Sequence, residues 1–411
     1  MTDYYDELET RSADQREADL MAALPGQLAH AKKNTAFFGD LLADIDPAAI
    51  TDRASLTSLP VTRKPDVAAA QAANPPFGGL NATDSTGMAH IYMSPGPIYE
   101  PDGHGKDHWR FARALHAAGV RAGDIVHNTL SYHLTPAGQL IESGCRAIGC
   151  SVFPGGVGNT EMQVDAIEAL KLTAYAGTPS FLRILLEKAD ELGKDTSSYK
   201  TASLGAEPLP PSLRQWFEDR GITTTQTYGT ADVGLIAYES LPVEGMLIDE
   251  GLIFEICRPG TGELVEPGEV GEIVVTTFNT IYPLIRYGTG DMTAVLPGTS
   301  PCGRTNTRIK GWMGRADQSC KVRGMFVHAK LIGEIVSRHD EFTKARMVVT
   351  NPDNRDNMVL KIEAAEGGDQ LTDAVRDSIQ KVTKLRGDVE VVAPGSLPND
   401  GLVLEDQRTF D

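Results

Sequence analysis

From about residue 106 to 228 the chain alternates between two hydrophobic rhythms. Apolar residues at helical spacing predict helices over 109–120, Ala137–Ile148, 163–172, 180–192 and 212–220. Short apolar runs between them predict strands over 124–129, 150–154, Thr201–Leu204 and 223–227. Helix and strand alternating in this way form a layered α/β sheet. Upstream, residues 1–75 read as largely helical, with Leu20, Leu24, Leu28, Phe37, Phe38, Leu41 and Leu42 as the apolar positions. Between 244 and 280 β-branched runs are broken by Pro-Gly-Thr-Gly (259–262) and Pro-Gly-Glu (267–269), which predicts antiparallel hairpins. After Gly324 the pattern is that of a compact α+β segment: a helix over 329–337, a hairpin around 351–357, a helix over 371–385 and a strand over Asp388–Val392. The expected division is a large domain over 1–316 and a small one over 317–411.

Composition narrows the class. A chain of 411 residues is too long for one ordinary core and fits two domains. It contains no run approaching the ~20 apolar residues of a membrane span, and its acidic start, Met1-Thr2-Asp3-Tyr4-Tyr5-Asp6-Glu7, carries no secretory signal. Five scattered cysteines suit a reducing compartment, so the expectation is a cytoplasmic protein with free thiols. A net charge of −18 repels a phosphate backbone and excludes nucleic acid as the expected partner.

Chemistry concentrates in one tract. Tyr-Pro-Leu-Ile-Arg-Tyr-Gly-Thr-Gly-Asp (282–291) ends on an acid after a Gly-Thr-Gly turn, and the two oxygens of Asp291 can accept from two vicinal hydroxyls. Gly-Trp-Met-Gly-Arg-Ala-Asp-Gln-Ser-Cys-Lys-Val-Arg-Gly (311–324) sets Arg315 and Asp317 in a glycine-flanked connection suited to a swivel. Two further segments close predicted strands: Gly205-Ala206-Glu207-Pro208, and Tyr228-Gly229-Thr230-Ala231-Asp232-Val233-Gly234. Taken in order with Leu-Pro-Val-Thr-Arg-Lys (59–64), these motifs resemble those of the adenylate-forming superfamily, specifically its phenylacetate-CoA ligase branch.

The resemblance implies a large N-terminal domain of layered α/β sheets with a small β-barrel-like subdomain, and a small mobile α+β C-terminal domain. It implies ATP or AMP, CoA and magnesium as cofactors, a carboxylic acid or acyl-CoA as the small-molecule partner, and admits a homodimer. Asp291 would bridge the ribose hydroxyls, Tyr228 with Gly229 and Thr230 would lie at adenine, and Asp232 would stand where the family's acid helps to hold magnesium, one methylene shorter. Gly205, Ala206, Glu207 and Pro208 match the adenine-side segment, Arg315 the nucleotide-contacting arginine and Asp317 the hinge. Ser131-Tyr132-His133-Leu134-Thr135-Pro136 and Gly155-Gly156-Val157-Gly158-Asn159-Thr160-Glu161 align with segments lining the acyl pocket. His133 there is a candidate general base, although a packed or surface histidine is the commoner reading.

Two departures stand against the pattern. The phosphate loop would fall at Ser94-Pro95-Gly96-Pro97-Ile98-Tyr99-Glu100-Pro101, where Ser94 and Gly96 remain to meet phosphate. The prolines offer no N–H, and Glu100 replaces a lysine, which predicts repulsion of a triphosphate. No lysine follows Lys384, and Arg408 is the only basic residue after Arg386. Of the Cys/His zinc set carried by many relatives only Cys302 persists, so no zinc is expected. The leading expectation is an acyl-CoA synthetase working through acyl-AMP, with an aromatic acid suggested by the branch. The alternatives are a relative that binds AMP or CoA thioesters without using ATP, and a non-catalytic regulatory subunit.

Overall fold

The computed structural model describes residues 4–258, 262–316, 319–342, 344–365, 367–397 and 403–409. The chain divides into two compact units, one of residues 4–209 and 214–313, the other of 314–409 together with 210–213.

The larger unit is organised by a nine-stranded sheet. Across it run Val295–Leu296, Arg308–Ile309, Met246–Ile248, Gly234–Tyr238, Thr223–Thr230, Thr201–Leu204, Ala174–Gly177, Ile125–Asn128 and Ser151–Pro154. The last five are mutually parallel, joined by the helices Ala137–Ile148, Thr160–Leu170, Pro179–Leu192 and Pro211–Glu218. Ala174–Gly177 and Thr201–Leu204 are buried at every position, as parallel strands covered on both faces must be. Ala174–Gly177 lies in the middle of this parallel set, where the hydrophobic pattern predicts no strand. The sheet turns antiparallel at the bend after Thr230. Gly234 permits that bend: its φ is +81°, and a Cβ there would stand 2.9 Å from the Trp109 carbonyl oxygen.

A second sheet orders Thr62–Arg63, Tyr287–Thr293, Gly271–Thr277 and Leu252–Cys257. The 22-residue helix Ala13–Asn34 buries Leu20, Leu24 and Leu28, at i, i+4 and i+8, in one cluster with Ile273, Val275 and Tyr287 of that sheet. Ser12 caps the helix by accepting from the Gln15 N–H. The expected hairpin region at 244–280 is divided: Met246–Ile248 belongs to the large sheet and Leu252–Cys257 to the second one. Between them Asp249 and Glu250 are buried and pinned by Arg110 (2.8 Å) and Arg16 (2.8 Å), which carries the chain from one sheet to the other. Residues 259–261 of the Pro-Gly-Thr-Gly turn lie outside the described residues. A separate hairpin, His90–Ser94 with Ile98–Asp102, occupies the segment that stands where the resemblance puts the phosphate loop.

In the smaller unit a sheet ordered Asp388–Val392, Asn357–Glu363, Ala345–Thr350 and Leu404–Asp406 packs with the helices Ala329–Val336 and Asp369–Thr383. Ile332, Ile335, Met347, Leu360, Val375 and Ile379 share its core. Among the described residues no helix is long and apolar enough to cross a membrane.

Candidate active site

Asp291 sits on the strand Tyr287–Thr293, which is held in place from its beginning. Arg286, fully buried just before it, pairs with Glu255 (3.0 Å) and donates to the carbonyls of Thr57, Leu59 and Gly262. The motif arginine is thus a brace beneath the strand. Each Asp291 oxygen is met by a side chain from another element. The Tyr228 hydroxyl donates to Oδ2 at 2.8 Å, and the Trp312 indole N–H donates to Oδ1 at 3.0 Å. The Thr289 hydroxyl accepts the Asp291 backbone N–H (3.1 Å), so backbone and carboxylate are both fixed. The structure therefore joins Tyr228 and Asp291, two residues 63 apart in the chain, in one cluster. Trp312 is a site residue that its motif alone does not single out; its one sequence signal is its place between Gly311 and Gly314.

The second cluster lies around Asp232. Thr230 Oγ1 accepts the Val233 N–H (3.2 Å), closing a turn that folds Asp232 inward until only 5 % of it is exposed. Lys64, the first residue of the helix Lys64–Ala73, reaches Asp232 Oδ2 at 3.5 Å with about a third of its side chain still exposed. The Tyr287 hydroxyl also hydrogen-bonds Asp232. From the hairpin, period-two alternation turns Ser94, Ile98 and Glu100 inward and Pro95 and Tyr99 outward.

Here the repulsion expected of Glu100 is corrected. Its side chain is fully buried, accepts a hydrogen bond from the Ser94 hydroxyl at 2.5 Å, and faces Asp232. Burial first, and the neighbouring Asp232 charge second, push the Glu100 carboxyl well above the usual carboxylate range. Two carboxylates cannot hydrogen-bond each other unless one carries a proton, and Glu100 Oε2 has no donor to accept from among the described residues. An inward-facing Glu100 whose ionisation burial disfavours repels phosphate less than its sequence position predicts. It does occupy Ser94, whose hydroxyl is already donated. Gly96 lies exposed in the hairpin turn.

The remaining candidates are placed less centrally. Gly205, Ala206, Glu207 and Pro208 follow the strand Thr201–Leu204 at its carboxyl end, with Ala206 in the left-handed region (φ 65°) and Glu207 accepting from the Ser180 N–H (3.4 Å). Gly229 is exposed beside Tyr228. His133 is exposed, and its backbone N–H donates to Ser131 Oγ (3.1 Å); none of its described hydrogen bonds reaches another candidate residue. Arg315, in the smaller unit, lies over the Phe326 ring at 5.5 Å. Asp317 falls outside the described residues. Arg408 is not a substitute for a terminal lysine: its guanidinium is buried between Asp356 (3.1 Å) and Asp406 (2.6 Å). Arg304 is likewise committed, to Glu9 at 2.7 Å. Among the described residues no group of three or more His, Cys, Asp or Glu is arranged to hold a metal ion.

Residues 108–281 match the AMP-binding enzyme family model. The phenylacetate-coenzyme A ligase of Escherichia coli (strain K12) is 30% identical over 96% of this chain and 94% of its own. That of Thermus thermophilus is 29% identical over 98% and 94%. A crystal structure of 2-hydroxyisobutyryl-CoA ligase, in complex with 2-HIB-AMP and CoA, superposes with a TM-score of 0.85 over 98% of this chain and 92% of its own at 24% identity, a likeness of fold. Identity at this level over nearly the whole of both chains places the protein in the phenylacetate-coenzyme A ligase family of AMP-binding enzymes.

Proposed function

We propose that this protein is an AMP-forming acid–CoA ligase. In the first half-reaction a substrate carboxylate oxygen bonds to the α-phosphorus of ATP, the α–β phosphoanhydride breaks, and pyrophosphate leaves. In the second the CoA sulfur bonds to the acyl carbon, the acyl–phosphate C–O bond breaks, AMP leaves, and the thiol proton passes to a base.

The observation that carries this reading is Asp291, a carboxylate whose two oxygens are each oriented by a donor and which, by its chemistry, can accept from two vicinal hydroxyls. Tyr228 both orients Asp291 and lends its ring to the base, with Gly229, Thr230 and the Gly205–Pro208 turn beside it. Lys64 is the proposed phosphate-side charge, since it is partly exposed and its pairing with Asp232 is long. A residue that sequence comparison leaves unassigned thus replaces the cation missing at Glu100. For magnesium, Asp232 is the carboxylate at hand. A single buried ligand fits an ion that takes one or two carboxylates and fills its other positions with phosphate oxygens and water. Bound there, magnesium would offset phosphate charge. Arg315 is proposed as a nucleotide contact and Asp317 as the pivot of the chain between the units; His133, on an exposed loop, is proposed only as a contact to the acid. ATP and CoA are abundant in a cytoplasmic setting, which also suits five free cysteines. The acid is proposed to be an arylacetic or small hydroxylated carboxylic acid, after the relatives. Release of pyrophosphate and formation of acyl-CoA across a panel of such acids is the test.

A further inference from the structure

In an open α/β sheet, ligands bind in the crevice outside the carboxyl ends of the parallel strands. Tyr228 marks one end of that row of strand ends, and the loop Gly155–Gly158, after the edge strand Ser151–Pro154, marks the other. Four interstrand gaps of about 4.8 Å separate the two, roughly 19 Å in all. The loop has almost no side chains, yet its shape is closely specified from below.

Gln163 Nε2 donates to three loop carbonyls, those of Gly155 (3.3 Å), Gly156 (3.1 Å) and Gly158 (2.6 Å). That amide is oriented in turn. With its nitrogen turned to the carbonyls, Gln163 Oε1 faces His127 Nε2 at 2.7 Å and can only accept, so Nε2 carries the hydrogen. The other ring nitrogen lies 2.5 Å from the Tyr199 hydroxyl. Burial holds the His127 imidazole down to about 4, so at neutral pH Nδ1 accepts and Tyr199 donates. One arrangement of hydrogens satisfies the whole chain from Tyr199 to the loop. The packing is as strict as the hydrogen bonding: a Cβ on Gly155 would stand 2.5 Å from His127 Nε2 and 2.6 Å from Gln163 Oε1. Buried polar chains of this kind cost as much to desolvate as they return in stability, but they specify one geometry.

We propose that Tyr199, His127 and Gln163 are positioning residues that hold the Gly155–Gly158 loop as the acid-side wall of the catalytic crevice, remote from the nucleotide. The proposal rests on the ligase reading above. It is tested with Gln163→Met, which keeps volume and loses every loop hydrogen bond, and Tyr199→Phe, which removes one hydroxyl and tolerates folding best. Acyl-CoA formation is measured with phenylacetate, 2-hydroxyisobutyrate, benzoate and acetate, and backbone amide hydrogen exchange is followed at residues 155–159. The expected result for Gln163→Met is faster exchange in the loop and an acid KM raised roughly tenfold or more, as misplacement by a fraction of an ångström produces. The ATP KM stays within about twofold by the same argument. Tyr199→Phe moves both readouts in the same direction and less. Faster loop exchange with an unchanged acid KM overturns the proposal, as does an equal rise in both KM values. A wild-type protein that converts none of the acids overturns the ligase reading itself, and the proposal falls with it. An active wild type with unaffected variants removes the proposal alone.

Discussion

The proposed ribose end and the proposed phosphate end of the candidate site handle their carboxyl groups in opposite ways. At Asp291 neutral donors from Tyr228 and Trp312 orient the two oxygens. At Glu100 the carboxyl is buried, accepts from Ser94 and faces Asp232, which pushes it well above the usual carboxylate range, while the proposed cation for phosphate stands elsewhere, on Lys64. On this proposal a site survives a reversal of charge in its sequence when burial disfavours ionisation of the offending group and a neighbouring helix brings the missing one.

The contrast can be broken in order of effect. Asp291→Ala strands the Tyr228 and Trp312 donors and loses two charge-assisted hydrogen bonds to ribose, about 1.5–3 kcal/mol each. The ATP kcat/KM should fall roughly a hundred- to ten-thousandfold, read from pyrophosphate release. Arg408→Ala should cost about 3 kcal/mol of stability, because it leaves Asp356 and Asp406 without their buried partner. Its ATP KM should not change; an altered KM with unaltered stability would return Arg408 to the site. Lys64→Ala should raise the ATP KM about tenfold, the worth of one exposed contact to phosphate, with kcat/KM for CoA unaffected.

Glu100→Gln should change activity least, since it replaces a carboxyl whose ionisation burial already disfavours. Its signature is in stability against pH. A carboxyl whose folded pKa lies above its unfolded value binds more protons when folded, so its contribution is fully present below about pH 4.5 and is lost as pH rises through the folded pKa. Wild type should lose stability on alkalinisation over that window, and Glu100→Gln should not, in chemical-denaturation curves from pH 4 to 9. Parallel curves for the two proteins would mean that Glu100 is ionised after all.

These two ends also separate what was readable in the chain from what was not. The helix Ala137–Ile148 and the strands Thr201–Leu204 and Asp388–Val392 lie where the hydrophobic pattern places them, because local periodicity and burial agree. Ala174–Gly177 escaped notice because four small or aromatic residues between two helices carry no strand alternation; only its neighbours in the sheet make it a strand. Asp291 could be singled out because its chemistry depends on residue type and a local turn. Glu100 was misjudged for the complementary reason: a sequence states that a residue is ionisable, whereas its charge depends on which way a hairpin turns it. Lys64 and Trp312 stood in quoted motifs but drew their roles from contacts 168 and 21 residues away. The Gln163 amide under the Gly155–Gly158 loop carries no sequence signal beyond the glycines it shapes.

The central claim is that this site adenylates a carboxylic acid with the ribose held by Asp291. The most direct measurement is acid-dependent pyrophosphate release from ATP, followed by CoA-dependent release of AMP, in wild type and Asp291→Ala side by side. The account predicts both products in stoichiometric amounts from wild type and their near loss in the variant at equal fold stability. No pyrophosphate from folded wild type with any acid of the panel, or an ATP KM unchanged in Asp291→Ala, would contradict it.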